Sequence, residues 1–260
     1  MIVAGIDIGS TASKIVILDD EKILHQSIIN ENEDNTDLPD IVFDREVKSI
    51  GLSRDDVKYI IATGISRESL SFANRKKSTP LCLAKGAHHL FPSARLVIDI
   101  GAETSTVVGI GDKGELRDSA VNDKCAAGAG SFLLLLVKLL QMPLGRLSEI
   151  SLEAKGKIEF TNTCVVFIEQ EIISQIHRDP PTPMSNIVAG IYESLATRIA
   201  GLAKKVGIKE DVVICGGVAR NRGFVKIFEK VTGVKLIIPE SPETLPALGA
   251  ALIAQREFFK

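Results

Sequence analysis

The chain has 260 residues, of which 45% are apolar and 25% charged, a composition typical of a globular protein with one large or two modest domains. Its formal net charge of -2 gives no electrostatic reason to bind nucleic acid or an anionic membrane surface. The start "MIVAGIDIGS" lacks the basic leader of a signal peptide, and the apolar run from Phe132 to Val137 is far shorter than the ~20 residues of a membrane span. We therefore expect a cytoplasmic protein that binds neither nucleic acid nor membrane.

The predicted elements run from an N-terminal β-hairpin to a C-terminal helix. Residues 5–17, "GIDIGSTASKIVI", predict an apolar strand ending in Asp, a turn of small residues and a second strand. Further strands are predicted at about 59–63, 96–100, 211–215 and 234–238, and helices at about 128–142, 164–178, 187–206, 221–231 and 244–258. The stretch "RDPPTPMS" at 178–185 is predicted to connect two helices, because proline can continue neither.

The hairpin is repeated later in the chain. "GIDIGSTASKIVI" at 5–17 aligns without gaps on "VIDIGAETSTVVG" at 97–109, and both carry I-D-I-G at the turn. Two such hairpins indicate duplicated halves, each a sheet with helices, and so predict an α/β fold.

The tip of the first hairpin has the composition of a phosphate-binding loop. Backbone N–H groups and hydroxyls of such a tip can wrap phosphate oxygens; the candidates are Gly9, Ser10, Thr11, Ala12, Ser13 and Lys14. Asp7, at the strand end, is a candidate catalytic residue that can hold Mg²⁺ through water, since Mg²⁺ prefers one or two carboxylates with water and substrate phosphates. For one copy alone, a plain tight turn is the simpler interpretation, because turns are rich in Gly and Ser.

The second copy favours a nucleotide site. If the two halves face each other, Asp7 and Asp99 approach one metal and phosphate site from opposite sides of a cleft between domains. Gly101 and Ala102 are the matching phosphate-loop candidates of the second tip, and Glu103 follows them.

A third element, "VVICGGVARNRGF" at 212–224, is a buried strand that meets Gly216 and Gly217 before a helix. Two glycines allow a flat ring or a phosphate to lie close to the backbone, although the same pattern also serves plain packing.

The three elements in this order resemble the superfamily of actin-like ATPases, which includes sugar kinases and heat-shock chaperones. The resemblance assigns "DIGSTASK" to the first phosphate loop, "DIGAETS" to the second and "CGGVARN", which ends in Asn221, to the adenosine loop. "PALGAALIA" at 246–254 resembles the last helix, which returns to the first domain. This implies a two-domain, actin-like (duplicated ribonuclease H-like) fold, with residues 1–95 and 244–260 in domain I and residues 96–243 in domain II.

Cys125 and Cys164 stand in polar, turn-like contexts. A lone cytosolic cysteine is usually an inert small hydrophobe, and Cys125 could also be a nucleophile or a metal ligand. It lies between "NDK" and "AAGAG", a setting that disfavours core burial, whereas Cys164 follows helix-capping residues in "TNTC", where a helix dipole favours the thiolate. Cys82 and Cys215 lie in apolar contexts and are predicted to be core residues.

Two thiolates do not complete an iron–sulfur site, because cubane clusters usually take four cysteines. A two-fold dimer supplies the missing pair, since its axis brings the same two ligands from each subunit.

"NDKCAAGAGSF" and "TNTCVVFIEQEIISQ" closely resemble the ATP-dependent activator family of 2-hydroxyacyl-CoA dehydratases and benzoyl-CoA reductases, and the likeness extends from "GIDIGSTASK" to "LGAAL". It implies that Cys125 and Cys164 of each subunit hold one [4Fe–4S] cluster per homodimer. It further implies an anaerobic ATPase that uses ATP and Mg²⁺ to pass an electron from ferredoxin or flavodoxin to a partner iron–sulfur enzyme of the dehydratase or reductase type. The segment with Cys125, Gly128 and Gly130 would then touch the nucleotide through its glycines and the cluster through its cysteine.

The chain departs from the family pattern at two places. The family commonly has "DIGGQD" at the second phosphate loop, where this chain has Ala102 and Glu103, and an acidic side chain there repels phosphate unless it orients water or faces Mg²⁺. After the cysteine the family tends toward an Arg and a Glu where this chain has Ser131 and Leu134 or its neighbour. These changes are compatible with a divergent branch that serves another reductase, such as a double-cubane cluster protein.

Two other functions fit the same fold. A small-molecule kinase, acting on a sugar or an acid, would need a base, and the candidates His88, His89 and His177 lie in no supporting motif. An assembly protein of the actin type would sediment in an ATP-dependent way.

Overall fold

The structure is a computed structural model that describes residues 1–30, 39–122, 128–156, 158–160, 165–209 and 211–259. The strands in the described chain are β1 (Ile2–Ile8), β2 (Ala12–Asp19), β3 (Lys22–Asn30), β4 (Tyr59–Gly64), β5 (Arg75–Lys76), β6 (Leu96–Ile100), β7 (Ser105–Ile110), β8 (Leu116–Asn122), β9 (Val212–Cys215) and β10 (Leu236–Ile237). The α-helices are α1 (Pro39–Ser49), α2 (Thr79–Leu90), α3 (Ala129–Leu140), α4 (Leu144–Ser151), α5 (Val165–Ile176), α6 (Met184–Val206), α7 (Arg222–Thr232) and α8 (Leu245–Phe258).

The described strands form two five-stranded sheets, in the orders β3-β2-β1-β4-β5 and β10-β9-β6-β7-β8. β1 pairs antiparallel with β2 and parallel with β4, so the first sheet is mixed. In the second sheet β9 pairs parallel with β10. The predicted α/β class and its actin-like architecture of two mixed sheets with helices are confirmed.

The described chain forms two compact units. Unit 1 consists of Met1–Val97, Val108–Ser119 and Pro239–Lys260, and unit 2 of Ile98–Val107 and Ala120–Ile238. The division into domains at residues 95/96 and 243/244 stays a prediction, since compactness alone does not define functional domains.

The first sheet is covered on both faces. Strand residues at every second position of β1 and β2 pack against α1 through Phe43 and Val47, which are fully buried. The opposite face packs against α8, in which every residue from Leu245 to Ala251 is buried. Gly5 of β1 allows this close approach, because a Cβ there would overlap the backbone of Ala247 and Ala251.

The helices α4, α6 and α7 pack against one another in unit 2. Tyr192 of α6 is fully buried and stands edge-on to Phe224 of α7, with ring centroids 5.9 Å apart. Burial raises the pKa of the Tyr192 phenol to about 12, so this side chain is a neutral hydrogen-bonding group at all working pH values.

No single helix in the described part of the chain is long and apolar enough to cross a membrane. α3 and α4 together pass a test of length and composition, but they are bent by 93°. The cytoplasmic location stays a prediction.

Candidate functional site

The first hairpin tip brings Asp7 and Lys14 together. The two residues are direct partners in the β1–β2 register, and Lys14 Nζ lies 3.7 Å from Asp7 Oδ2. The turn is closed by the Gly9 N–H, which donates to the carbonyl of Ala12 at 3.1 Å, and Lys14 Nζ donates to the same carbonyl at 3.2 Å. A carboxylate and an ammonium are thus fixed on the backbone of a tight turn, as a site for Mg²⁺ and phosphate requires.

Asp7 is only 7% exposed, and its protonation reflects that burial. Desolvation raises the pKa of its carboxyl above the ordinary value, and the nearby Lys14 ammonium opposes this without cancelling it. A bound divalent cation would favour the ionised form. The side chain therefore fits the predicted role of a metal-facing carboxylate.

β4 places a glycine elbow beside Asp7. The parallel register pairs Asp7 with Thr63 and Ile8 with Gly64. Gly64 has φ +94°, and a Cβ there would lie 2.6 Å from Asp7 Oδ1 and overlap the Ile8 carbonyl oxygen. Only glycine fits this elbow, which presses its backbone directly against the carboxylate.

The second hairpin tip repeats the first with looser packing. The Gly101 N–H donates to the Thr104 carbonyl at 2.9 Å, the counterpart of the Gly9 bond. A Cβ on Gly9 would lie 2.8 Å from the Ala12 carbonyl oxygen, whereas one on Gly101 would be an ordinary 3.5 Å from the Thr104 oxygen. Glu103 is exposed at this tip, so its carboxylate is available to water or a cation.

β9 ends in the counterpart of the Gly64 elbow. Gly216 has φ +83°, and a Cβ there would lie 2.6 Å from Asp99 Oδ1 and overlap the Ile100 carbonyl oxygen. Cys215, just before it, is fully buried and its Sγ donates to Asp99 Oδ1 at 3.6 Å. The structure therefore joins two predicted elements, the second hairpin and the strand–Gly–Gly segment, at one place.

Gly217 and Asn221 differ in what surrounds them. A Cβ on Gly217 would meet no atom within 4 Å, so open space lies over its backbone, as a ligand site needs. Asn221 is 3% exposed and caps α7, since its side chain accepts from the Phe224 N–H at 3.0 Å and donates to the Tyr192 hydroxyl at 2.8 Å. The role of Asn221 toward nucleotide stays a prediction, and the structure adds a role in holding α7.

The N-terminus of α3 lies against the second hairpin tip. The N–H groups of Gly130 and Ser131 donate to the carbonyls of Gly101 and Ala102 at 3.1 and 2.9 Å. A Cβ on Gly128 would overlap the backbone of Ala102 and Glu103, so this glycine is required for the contact. α3 is thereby fastened to the predicted phosphate loop by backbone bonds.

The proposed cluster ligands Cys125 and Cys164 lie outside the described residues. Cys82 and Cys215 are fully buried thiols, and burial raises the pKa of the Cys82 thiol to about 12, which favours the neutral thiol over a thiolate ligand. No group of three or more metal-ligating side chains gathers within the described ranges. Thiolates are the donors that iron–sulfur clusters take, so the chemistry of Cys125 and Cys164 fits such a cluster.

The segment after β4 contains no site residue predicted from the sequence. Its signal is an apolar strand followed by Gly, present in "ATGISRES" at 62–69 and in "CGGVARN". Both copies end in a 3₁₀ turn, at Arg67–Ser69 and at Gly217–Arg220. The three histidines available as a base for a kinase lie in or next to helices: His88 and His89 are in the last turn of α2, and His177 follows α5.

Two hairpins that share the I-D-I-G turn, each with a neighbouring strand that leads into a positive-φ glycine beside the aspartate, place the chain among the actin-like ATPases. The chain belongs to the BadF/BadG/BcrA/BcrD ATPase family, whose model matches residues 4–254. The family resemblance and the ATPase assignment from the sequence are both confirmed.

Relatives with informative names match nearly the whole chain. The 2-hydroxyisocaproyl-CoA dehydratase activator of Clostridioides difficile is 38% identical over 255 residues, which cover 98% of this chain and 95% of the relative. The solved structure of the activator of the 2-hydroxyisocaproyl-CoA dehydratase from Clostridium difficile with bound ADPNP has a TM-score of 0.90 at 37% identity, covering 99% of this chain and 95% of that one. The (R)-2-hydroxyglutaryl-CoA dehydratase component A of Acidaminococcus fermentans has a TM-score of 0.93 at 35% identity and full coverage of both chains.

Proposed function

We propose that this chain is an ATP-driven electron-transfer protein, which as a homodimer passes a low-potential electron from ferredoxin or flavodoxin to a partner iron–sulfur enzyme of the dehydratase or reductase type. The observation that carries the proposal is the fastening of α3 to the second hairpin tip through Gly130 and Ser131, because α3 begins just after Cys125. A change at the phosphate loop is thereby linked to the segment that carries a cluster ligand.

The nucleotide is bound, in this proposal, by the backbones of the two hairpin tips and of Gly216 and Gly217. Asp7 and Asp99 face a Mg²⁺ ion through water, and Lys14 contacts a phosphate. Exposed Glu103 orients the attacking water. The water oxygen forms a bond to the γ-phosphorus while the bond from that phosphorus to the β,γ-bridging oxygen breaks. The electron pair of the broken bond leaves with ADP, and a proton of the water goes to solvent.

The cluster is held by Cys125 and Cys164 of each of two subunits. When bound, a [4Fe–4S] cluster supplies one-electron chemistry at a potential set by hydrogen bonding and solvent exposure. The chain links the nucleotide to the cluster through its helices, because α3 and α5 begin shortly after these cysteines in the sequence. A movement of the second hairpin tip would move the start of α3 through the two backbone hydrogen bonds between them.

The dimer is supported by exposed apolar side chains that follow each cysteine. Leu134 of α3 and Phe167 of α5 are each 52% exposed in the single chain. Large exposed hydrophobic side chains on two helices mark a surface for association. A two-fold interface through these helices would bring four thiolates together.

The test is iron and sulfide analysis of protein purified without oxygen. We expect about four iron and four sulfide per two chains, as one cubane with four cysteines requires. Cys125→Ala and Cys164→Ala should each lose the cluster and its EPR signal, whereas Cys82→Ala, at a buried position, should keep both. Full iron in both single variants, or phosphorylation of a sugar or acid by iron-free protein, would refute the proposal.

A further inference from the structure

The segment Gly64–Arg67 lies at the same sheet edge as the first hairpin tip. Because β1 and β4 are parallel, their carboxyl ends coincide, and the register pairs Ile8 with Gly64. The Ser66 N–H donates to the Ile8 carbonyl at 3.2 Å, which folds the elbow back over the end of β1. Residues after Gly64 are therefore held next to the loop that begins at Gly9.

The elbow is the counterpart, within unit 1, of the Gly216 elbow in unit 2. Gly64 and Gly216 share positive φ, the same near-contact with an aspartate Oδ1 and the same overlap with an isoleucine carbonyl. Glycine adopts positive φ readily, and a position without a side chain lets a ligand approach the backbone closely. The Gly216 elbow belongs to the proposed nucleotide site, and the duplication gives the Gly64 elbow an equivalent position.

Arg67 supplies a cation at this elbow. Its Nη1 donates to the Gly64 carbonyl at 3.0 Å, and its Nε lies 3.5 Å from the Glu68 carboxylate. The side chain is 36% exposed. Because a guanidinium has five N–H donors in a planar fork, anchoring by one carbonyl leaves donors suited to a bidentate contact with a phosphate.

The turn that carries Arg67 is itself fixed in place. Lys76 Nζ donates to the Glu68 carbonyl and to its carboxylate, each at 3.0 Å. The Ser69 and Leu70 N–H groups close the 3₁₀ turn on the carbonyls of Ser66 and Arg67. The guanidinium therefore sits on a preorganised turn, which limits the entropy lost when it binds an anion.

We propose that Arg67 binds the terminal phosphate of ATP and stabilises the negative charge that develops on it during hydrolysis, as a cation in addition to Lys14. This inference rests on the proposed nucleotide site at the first hairpin tip. Cis-acting arginines in other ATPases and GTPases have this role, because the transferred phosphoryl group spreads its charge over oxygens that a guanidinium matches.

The experiment compares Arg67→Gln and Arg67→Lys with Arg75→Gln. Arg75 lies in the same sheet and its side chain is 63% exposed, so its variant matches the charge change away from the elbow. For Arg67→Gln we expect a loss in kcat for ATP hydrolysis on the order of 10²-fold or more. Arg67→Lys should recover part of it, and Arg75→Gln should hydrolyse ATP within about two-fold of the parent protein.

Binding measurements separate phosphate contact from a purely structural role. Arg67→Gln should bind ADPNP at least about ten-fold more weakly but bind ADP within about two-fold of the parent, since ADP lacks the terminal phosphate. Equal weakening of both nucleotides, or unchanged hydrolysis, would overturn the inference. Asp7→Asn separates a failure of the proposed function from a failure of the Arg67 inference. If Asp7→Asn abolishes Mg²⁺-nucleotide binding while Arg67→Gln changes nothing, the proposed function stands and the Arg67 inference fails.

Discussion

At the scale of single residues, two adjacent glycines after β9 are held by opposite constraints. Gly216 has a positive φ and no room for a Cβ, whereas Gly217 has open space around it. The first glycine is therefore required by the fold, and the second is required only if a ligand approaches its backbone.

This contrast predicts different results for two alanine variants. Gly216→Ala should lower the free energy of unfolding by roughly 2 kcal/mol or more, because it adds strain and a backbone overlap. Gly217→Ala should unfold at the parent temperature but bind ATP several-fold more weakly. Thermal unfolding with and without nucleotide measures both effects, and parent-like ATP affinity of Gly217→Ala would show that the nucleotide does not lie there.

Asp7 predicts a pH dependence with a definite sign. Its folded-state pKa is raised above the unfolded value, so the folded state binds more protons in the window between them, and the contribution to stability falls as pH rises through that window. Asp7→Asn should therefore be as stable as the parent or more stable at neutral pH, with the gain vanishing toward acid pH, while Mg²⁺-dependent hydrolysis is lost.

Unfolding curves from pH 3 to pH 8, compared for the parent and Asp7→Asn, check this prediction. A variant that is less stable at neutral pH would mean that the loss of the Lys14 partner outweighs the relief of burying a charge.

Residues in the hairpin tips could be predicted from the sequence because the repeated I-D-I-G signal fixes a turn by itself. The elbow at Gly64 could not be predicted as part of the site, because it lies beside the carboxylate of Asp7. That residue is more than fifty positions away in the sequence, and only the strand register brings the two together. For Asn221, the sequence predicts a site residue but does not reveal its second role. Its side chain also caps α7, and this can be recognised only from the position of the Phe224 N–H.

At the scale of elements, α3 and the second hairpin tip form one backbone-bonded assembly. Two N–H groups of the first turn of α3 are satisfied by loop carbonyls, and Gly128 permits the approach. The connection needs no flexible side chain, so movement of the loop is passed to the helix directly.

Gly128→Ala should weaken this connection. The added Cβ would overlap the backbone of Ala102 and Glu103, so we expect an impaired second loop, a KM for ATP raised several-fold and less electron transfer per ATP hydrolysed. Gly201→Ala is the matched control in α6, where a Cβ meets nothing within 4 Å and alanine should add about 0.5–1 kcal/mol of stability. Equal ATP kinetics in both variants would contradict the coupling.

Among the elements, the two hairpins and the helices α3 and α5 to α8 are predicted from the sequence, whereas α1, α2, α4, β3, β5 and β8 are not. α2 shows the physical reason. Gly86 interrupts its helical sequence pattern, and glycine is needed there because a Cβ would overlap the Leu245 carbonyl of α8. Glycine lowers helix propensity, and here close packing with α8 outweighs that cost. Such a tertiary contact cannot be read from local periodicity.

At the scale of the whole molecule, the proposed dimer predicts the effect of a charge on its surface. Phe167→Glu should convert the dimer to a monomer and lose the cluster, because a carboxylate replaces an exposed aromatic ring three residues after Cys164 in the sequence. Ile41→Glu, at a residue of α1 that is also 52% exposed, is the control and should remain dimeric with full iron. Sedimentation equilibrium under nitrogen measures the state, and a dimeric, iron-loaded Phe167→Glu would rule out this surface.

The position of α8 has a consequence for how the protein is made. β1 is synthesised long before the helix that buries one of its faces, which begins after residue 244. At a synthesis rate of ~5–20 residues per second, that apolar face of β1 stays uncovered for on the order of ten to fifty seconds before α8 is made. The nascent chain should therefore depend on a holding chaperone until α8 has been synthesised, while unit 2, most of which is the continuous stretch Ala120–Ile238, can assemble earlier.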